Sequence, residues 1–199
     1  PLEKTGRKNR FIFEIRDGFS RYVKFYPTKT TSSSEAIKHL KSYFSTFSKP
    51  KKFLISDRGS GFRSSEFESF LEGEGIKHVK IATASPWANG EIERVNKDLT
   101  PMLAKLSPNP RNWDKCLDAV EFAMNNTICR ATNQSPSMLL FGVHQRGNSE
   151  DLVREELALL NNNVPRNLES IREKAVQHQS KSANYSKQHY DKCHKTPNQ

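Results

Sequence analysis

Cysteine is scarce in this chain. Its three residues, Cys116, Cys129 and Cys193, stand at spacings that make neither a CxxC metal site nor a disulfide framework. That excludes a small disulfide-stapled fold and fits a reducing, intracellular setting. The six histidines show no HxxxH…CxxC spacing, so no structural zinc is expected. There is no run of 18 apolar residues, and so no transmembrane helix and no membrane partner is expected. The N-terminus has neither Met nor an apolar leader segment, which reads as a fragment, a processed product or a trimmed copy. Apolar residues make up 34% and mean hydropathy is −0.79, so burial is limited and a polar tail is expected. There are no internal repeats.

What the chain has is positive charge. It carries 32 Lys and Arg against 22 Asp and Glu, a formal net charge of +10 over 199 residues. Most of the excess lies before residue 143, because residues 143–199 hold 9 basic and 7 acidic side chains. A basic core favours a polyanion partner such as DNA over a merely sticky tail. A solvated basic surface with no partner is the plainer alternative. The length suits one domain with a real core plus an appendage.

Phe11–Asp17 is a short β-rich run broken at Gly18, and Ser20–Thr28 follows with alternating apolar positions; together they predict a hairpin. Thr31-Ser-Ser-Ser-Glu35 supplies N-cap chemistry for a helix to about Phe47, with Ile37, Leu40, Tyr43 and Phe44 on its stripe. Lys51–Asp57 predicts a third strand, and its Phe53-Leu-Ile55 run suits a buried central position. Ser64 and Ser65 start a helix through Leu71, closed by Gly73 and Gly75, and Ile76–Ala82 is a further strand.

A long helix is predicted from about Asn89 to Leu106. Ile92, Val95, Leu99, Met102, Leu103 and Leu106 fall on one side; Glu93, Asn96, Lys97 and Thr100 fall on another. Pro101 is placed to kink or shorten it. Helices over Asn112–Asn126 and Ser135–Phe141 follow, the last stopped by Gly142. The alternation of strands and helices argues an α/β fold. After Gly142, Leu152–Leu160 and Leu168–Ala183 are helix-capable, and the chain from Gln177 is polar enough to fray. The expected division is a core over 1–142 and a helical, polar extension over 143–199.

Two acids stand out. Asp57 ends a strand-like run, and Glu93 sits near the start of the long helix, with 35 residues between them. Phosphodiester transfer needs an attacking oxygen activated and a leaving oxygen stabilised. Two divalent ions held by converging carboxylates can do both. Spacing alone is weak evidence, since a turn-capping Asp57 and a helical Glu93–Lys97 pair would look the same.

The surrounding residues are more specific. Ser56-Asp-Arg-Gly-Ser-Gly-Phe62 resembles the SDRGSQF segment of the integrase catalytic core of gypsy-type LTR retrotransposons and retroviruses. Thr83-Ala-Ser-Pro-Trp-Ala-Asn-Gly-Glu-Ile-Glu-Arg-Val-Asn96 resembles its TPYHPQANGQVERFN. Asp17-Gly-Phe-Ser-Arg-Tyr22, Asn125 through Gly142 and Tyr190-Asp-Lys-Cys-His-Lys195 resemble further segments, in the same order along the chain.

The resemblance implies an RNase H-like mixed sheet flanked by helices. It also implies a pol polyprotein origin, Mg²⁺ or Mn²⁺ as cofactor, DNA as partner, homo-oligomerisation and work in the nucleus. Asp57 and Glu93 would be catalytic metal ligands. Asn89, Gly90, Arg94, Asn96 and Lys97 would flank the site, with Arg94 and Lys97 as phosphate contacts.

Two departures qualify that reading. The family's first catalytic Asp precedes a GPLP element that Pro1-Leu2 resembles, so the resemblance places it a few residues upstream of this chain. Asp17, tempting as a substitute, has the context of a turn cap. The strand carrying that first Asp is central in the family. Without it two strand edges face a gap, and residues 1–199 are expected to be loosely packed or poorly soluble. Secondly, Cys129 replaces a usual His, Asn133 a usual Gly and Trp87 the His-Pro chemistry. Asn tolerates the positive φ that Gly allows, and Trp87 could stack on a nucleotide or simply pack.

Two functions therefore stay open. One is an integrase core, impaired in this chain. The other is a catalytically inactive nucleic-acid-binding or multimerisation module derived from one. An unrelated RNase H-like nuclease fits the Asn89-Gly90…Glu93-Arg94…Asn96 segment less well.

Overall fold

The computed structural model describes residues 2–81, 86–145 and 167–193, and the side chains of these except at 86–94, 190, 192 and 193. Four strands and six helices are named in it: β1 Phe11–Arg16, β2 Val23–Thr28, α1 Ser33–Phe47, β3 Phe53–Ser56, α2 Ser65–Gly73, β4 Lys77–Lys80, α3 Pro86–Leu106, α4 Trp113–Asn126, α5 Pro136–Phe141 and α6 Leu168–Cys193. Two single 3₁₀ turns lie at Ser60–Arg63 and Pro110–Asn112. The fold is α/β, as the alternation predicts. The chain divides into two compact units, Pro1–Ile15 with Phe25–Val120, and Arg16–Lys24 with Glu121–Gln199.

The strands form two separate two-stranded sheets, β1 with β2 and β3 with β4. Arg10 N–H donates to the Thr28 carbonyl and Asp17 N–H to that of Tyr22, both consistent with the predicted hairpin. β3 and β4 run parallel, with Leu54 opposite His78 and Ser56 opposite Lys80. Among the described residues no strand joins the two sheets, so each strand is paired along one edge only.

In the first unit, α1 begins where Ser32 Oγ accepts the Glu35 amide, an N-cap of the predicted kind. Its Ala36, Ile37 and Leu40 pack with Phe67 and Leu71 of α2 and with Ile76, which leads into β4. Each large apolar side chain so buried contributes about 1.5–3 kcal/mol. Ser64 caps α2 through the Phe67 amide, and Gly75 at φ +71° turns the chain out of it.

Three expectations need correction here. Phe53 and Ile55 are 48% and 50% exposed, so β3 is not a buried central strand. Burial of a strand needs neighbours on both edges and cover on both faces, and β3 is hydrogen-bonded to β4 alone. Second, Leu106 is exposed although Val95, Leu99 and Leu103 are buried; at the last position of α3 the stripe has run past the core. Third, α3 neither stops nor shortens at Pro101, which lies inside one continuous helix.

In the second unit, Asn125 is fully buried, and Ser135 caps α5 through the Met138 amide. Gly142 ends α5 at φ +78°, where an added Cβ would meet Leu168 at 3.3 Å. Arg172 closes the same helix end by donating from Nε to the Leu139 carbonyl and from an Nη to that of Leu140. α6 runs to Cys193, ten residues beyond its predicted end at Ala183. The helix predicted over Leu152–Leu160 lies outside the described residues. Among the described residues no helix is long and apolar enough to cross a membrane.

Candidate active site

The β3 sequence ends in Ser56, which is buried, and hands the chain to Asp57, which is exposed. The next residues turn at once. Asp57 Oδ1 accepts the Gly59 amide at 2.9 Å, and Phe62 N–H donates to the Gly59 carbonyl at 3.0 Å. The phenyl ring of Phe62 then anchors the loop against Phe67, ring centres 5.3 Å apart. Gly61 is sterically required: a Cβ there would stand 2.3 Å from the Thr31 carbonyl oxygen, a backbone atom that cannot swing aside.

The loop walls a cleft of about 310 Å³, shared with Phe11 and Phe13 of β1, Thr28 of β2 and Glu35 of α1. Asp57 lines it. Glu35 is held elsewhere: its carboxylate accepts the Lys29 and Thr30 amides at 3.2 and 2.6 Å and the Thr30 hydroxyl at 2.7 Å. Burial raises the Glu35 pKa, but these hydrogen bonds outweigh it and hold the carboxyl below its ordinary range. Behind Asp57, Ser56 Oγ lies 2.8 Å from His78 Nε2. Burial, then the charge of Lys80, push His78 below its ordinary value against the pull of Glu68.

The α3 backbone places Glu93, Asn89, Gly90 and Arg94 in one helix as predicted, but their side chains lie outside those described. Asn96 and Lys97 are described and exposed, while Val95 and Leu99 between and after them are buried. Lys97 stands one turn beyond Glu93, on the same helical face.

Asp17 is committed locally. Its Oδ2 accepts the Phe19 and Ser20 amides at 3.2 and 2.6 Å and the Ser20 hydroxyl at 2.7 Å. Asn133 takes φ +54°, the conformation for which Gly would be usual. The Ser56–His78 contact and the Glu35 hydrogen bonds are not among the sequence expectations. The Glu35 signal was legible as an acid early in a helix; the Ser56–His78 contact depends on β3–β4 register and had none.

A hard divalent cation wants carboxylate oxygens that retain free lone pairs. Asp57 fits: it is exposed, at a cleft, and only Oδ1 has a described partner. Among the described residues no group of three or more His, Cys, Asp and Glu side chains converges.

The fold is α/β with an exposed acid at the end of a parallel strand, the architecture of an RNase H-like core, and comparison with known proteins gives the family. Residues 2–86 match the integrase core domain family. Simian foamy virus type 1 Pro-Pol polyprotein is 35% identical over 156 residues, covering 75% of this chain and 13% of the polyprotein. Human gypsy retrotransposon integrase-like protein 1 is 26% identical over 142 residues, covering 71% of this chain and 27% of that protein. The chain thus spans only a small part of these relatives.

Among solved structures, the simian T-cell lymphotropic virus intasome in complex with PP2A regulatory subunit B56 gamma superposes with a TM-score of 0.62. It is 22% identical and covers 74% of this chain and 54% of that one. The HTLV-2 integrase catalytic core domain in complex with magnesium (trimeric form) gives a TM-score of 0.52. It is 21% identical and covers 68% of this chain and 93% of that one. The chain belongs to the integrase core family of retroviruses and gypsy-type retrotransposons.

Proposed function

We propose that this chain is a retrotransposon integrase core whose chemistry is the joining of element DNA ends to target DNA. The 3′-oxygen of the element end would form a bond to a target phosphorus as that phosphorus loses its bond to the neighbouring 3′-oxygen. The observation that carries this reading is Asp57, an exposed carboxylate at the end of a parallel strand in a family-matched segment. Asp57 and Glu93 would hold Mg²⁺ or Mn²⁺, as the magnesium complex of a structural neighbour supports. The ion would supply Lewis-acid stabilisation of the reacting oxygens.

Lys97 and Arg94 would neutralise backbone phosphates, and Asn89 and Asn96 would orient the strand beside them. Residues 1–142 form the core and 143–199 its extension. The working form is a homo-oligomer acting on DNA in the nucleus. With the first acid of the set not assigned within these residues, joining by residues 1–199 is impaired.

Mg²⁺-dependent joining of a short duplex end to plasmid DNA tests this. Asp57→Asn and Glu93→Gln must each abolish residual joining while leaving DNA affinity within about twofold, since metal ligands and phosphate contacts are separate groups. Joining that survives either change refutes the assignment. DNA binding without any joining selects the second reading, a catalytically inactive nucleic-acid-binding or multimerisation module; the net charge of +10 favours binding in either case.

A further inference from the structure

We infer that His78 is a positioning residue for Asp57, acting through the Ser56 hydroxyl as a fixed Nε2–H tautomer. The inference rests on the reading of Asp57 as a metal ligand. Ser56 Oγ donates to the Asp57 carbonyl oxygen at 2.8 Å and lies 2.8 Å from His78 Nε2. A hydroxyl carries one proton and a carbonyl oxygen none. The Ser56 proton is therefore committed to Asp57, and Nε2 must bring its own proton to bond Oγ. The opposite assignment sets two lone-pair oxygens against each other at hydrogen-bond distance.

The other ring nitrogen agrees. His78 Nδ1 is buried without a hydrogen-bond partner among the described residues, so a proton there would be buried with no acceptor. The ring is held edge-on to Phe67, centres 5.3 Å apart.

The consequence falls on Asp57. The Ser56 carbonyl is held by the Ile81 amide at 2.9 Å, and the Asp57 carbonyl by Ser56 Oγ. The peptide group before Asp57 Cα is thus tied to Ile81, the residue after β4, and the one after it to a hydroxyl bonded to His78 of β4. The Gly59 amide then fixes Oδ1. His78 orders the hydroxyl that sets the direction in which the carboxylate leaves the strand.

The test uses ¹⁵N-labelled residues 1–199. Long-range ¹H–¹⁵N correlation should show His78 Nε2 protonated and Nδ1 bare; the reverse pattern overturns the inference. His78→Phe keeps the ring against Phe67 and removes the donor, whereas His78→Gln returns an N–H near the Nε2 position. His78→Phe should shift the Asp57, Arg58 and Gly59 amide signals and weaken Mn²⁺ broadening of Asp57 about 10-fold. His78→Gln should restore both. Unmoved Asp57–Gly59 signals in His78→Phe, or no rescue by His78→Gln, overturn the positioning role.

If His78→Phe does not fold, Ser56→Ala breaks the same link from the other side and is read the same way. Mn²⁺ that leaves wild-type Asp57 unbroadened would remove Asp57 as a ligand. The tautomer and amide shifts would still decide the role of His78.

Discussion

Asn125 acts as a strand partner for Val23. Its Oδ1 accepts the Val23 amide at 2.9 Å and its Nδ2 donates to the Val23 carbonyl at 2.8 Å, with both residues buried. One carboxamide thereby satisfies both backbone groups at the start of β2. Asn125→Ala would leave a buried donor and a buried acceptor unmet, at a cost of about 2–3 kcal/mol. Hydrogen exchange at the Val23 amide reads this locally; unchanged protection would disprove it.

Asp17 makes a sharper test of the site assignment. Asp17→Asn keeps a carbonyl oxygen for the Phe19 and Ser20 amides but loses the charge that strengthens those bonds. A loss of about 1 kcal/mol is expected, with Mn²⁺ broadening of Asp57 unchanged. A drop in metal affinity would make Asp17 the first acid after all.

Stability should fall on mild acidification. His39 is stacked on Tyr26, ring centres 4.6 Å apart. Burial, then Lys38, lower its pKa from 6.5, with Glu35 opposing. A histidine depressed in the fold takes up its proton more readily when unfolded. Stability is therefore fully present above the unfolded value and is lost as pH falls through 6.5 towards the folded pKa. His78 adds a term of the same sign. Melting temperature followed from about pH 7.5 down to 5 should decline, and His39→Phe should flatten the slope. A rise on acidification would show that the ring is charged in the fold.

Gly61→Ala should displace the loop that carries Asp57. The added methyl meets the Thr31 carbonyl at 2.3 Å, so backbone must move, at about 1–3 kcal/mol. The Gly59 and Phe62 amide signals report it directly. Wild-type spectra from this variant would mean that the approach is looser than described.

Much of this was legible in the sequence where local chemistry decides structure. Ser32, Ser64 and Ser135 cap the helices they precede, Gly75 and Gly142 take positive φ, and Asn133 does so without being glycine. The α/β class and the Asp57 junction followed from the same signals. What failed depends on neighbours distant in the chain. The apolar content of Phe53 and Ile55 does not say whether a strand lies beside them, and Leu106 keeps the period of α3 without a surface to meet. Asn125 bonds to a residue 102 positions away, and His78 reaches Ser56 only through strand register. Neither leaves a mark in composition or periodicity.

The half-exposed β3 has a consequence for the chain's behaviour in concentrated solution. Phe53-Leu-Ile55 is a short apolar strand with an open edge, a template for pairing between molecules. It is bracketed by Lys51 and Lys52 on one side and Asp57 and Arg58 on the other, all exposed, which is how gatekeeper charges restrain self-association. Three of those four charges are positive, so the flanks of the strand carry the same sign as the chain as a whole. Two copies of this strand approaching edge to edge would bring like charge together, so added salt, which screens it, is what would let the edge pair.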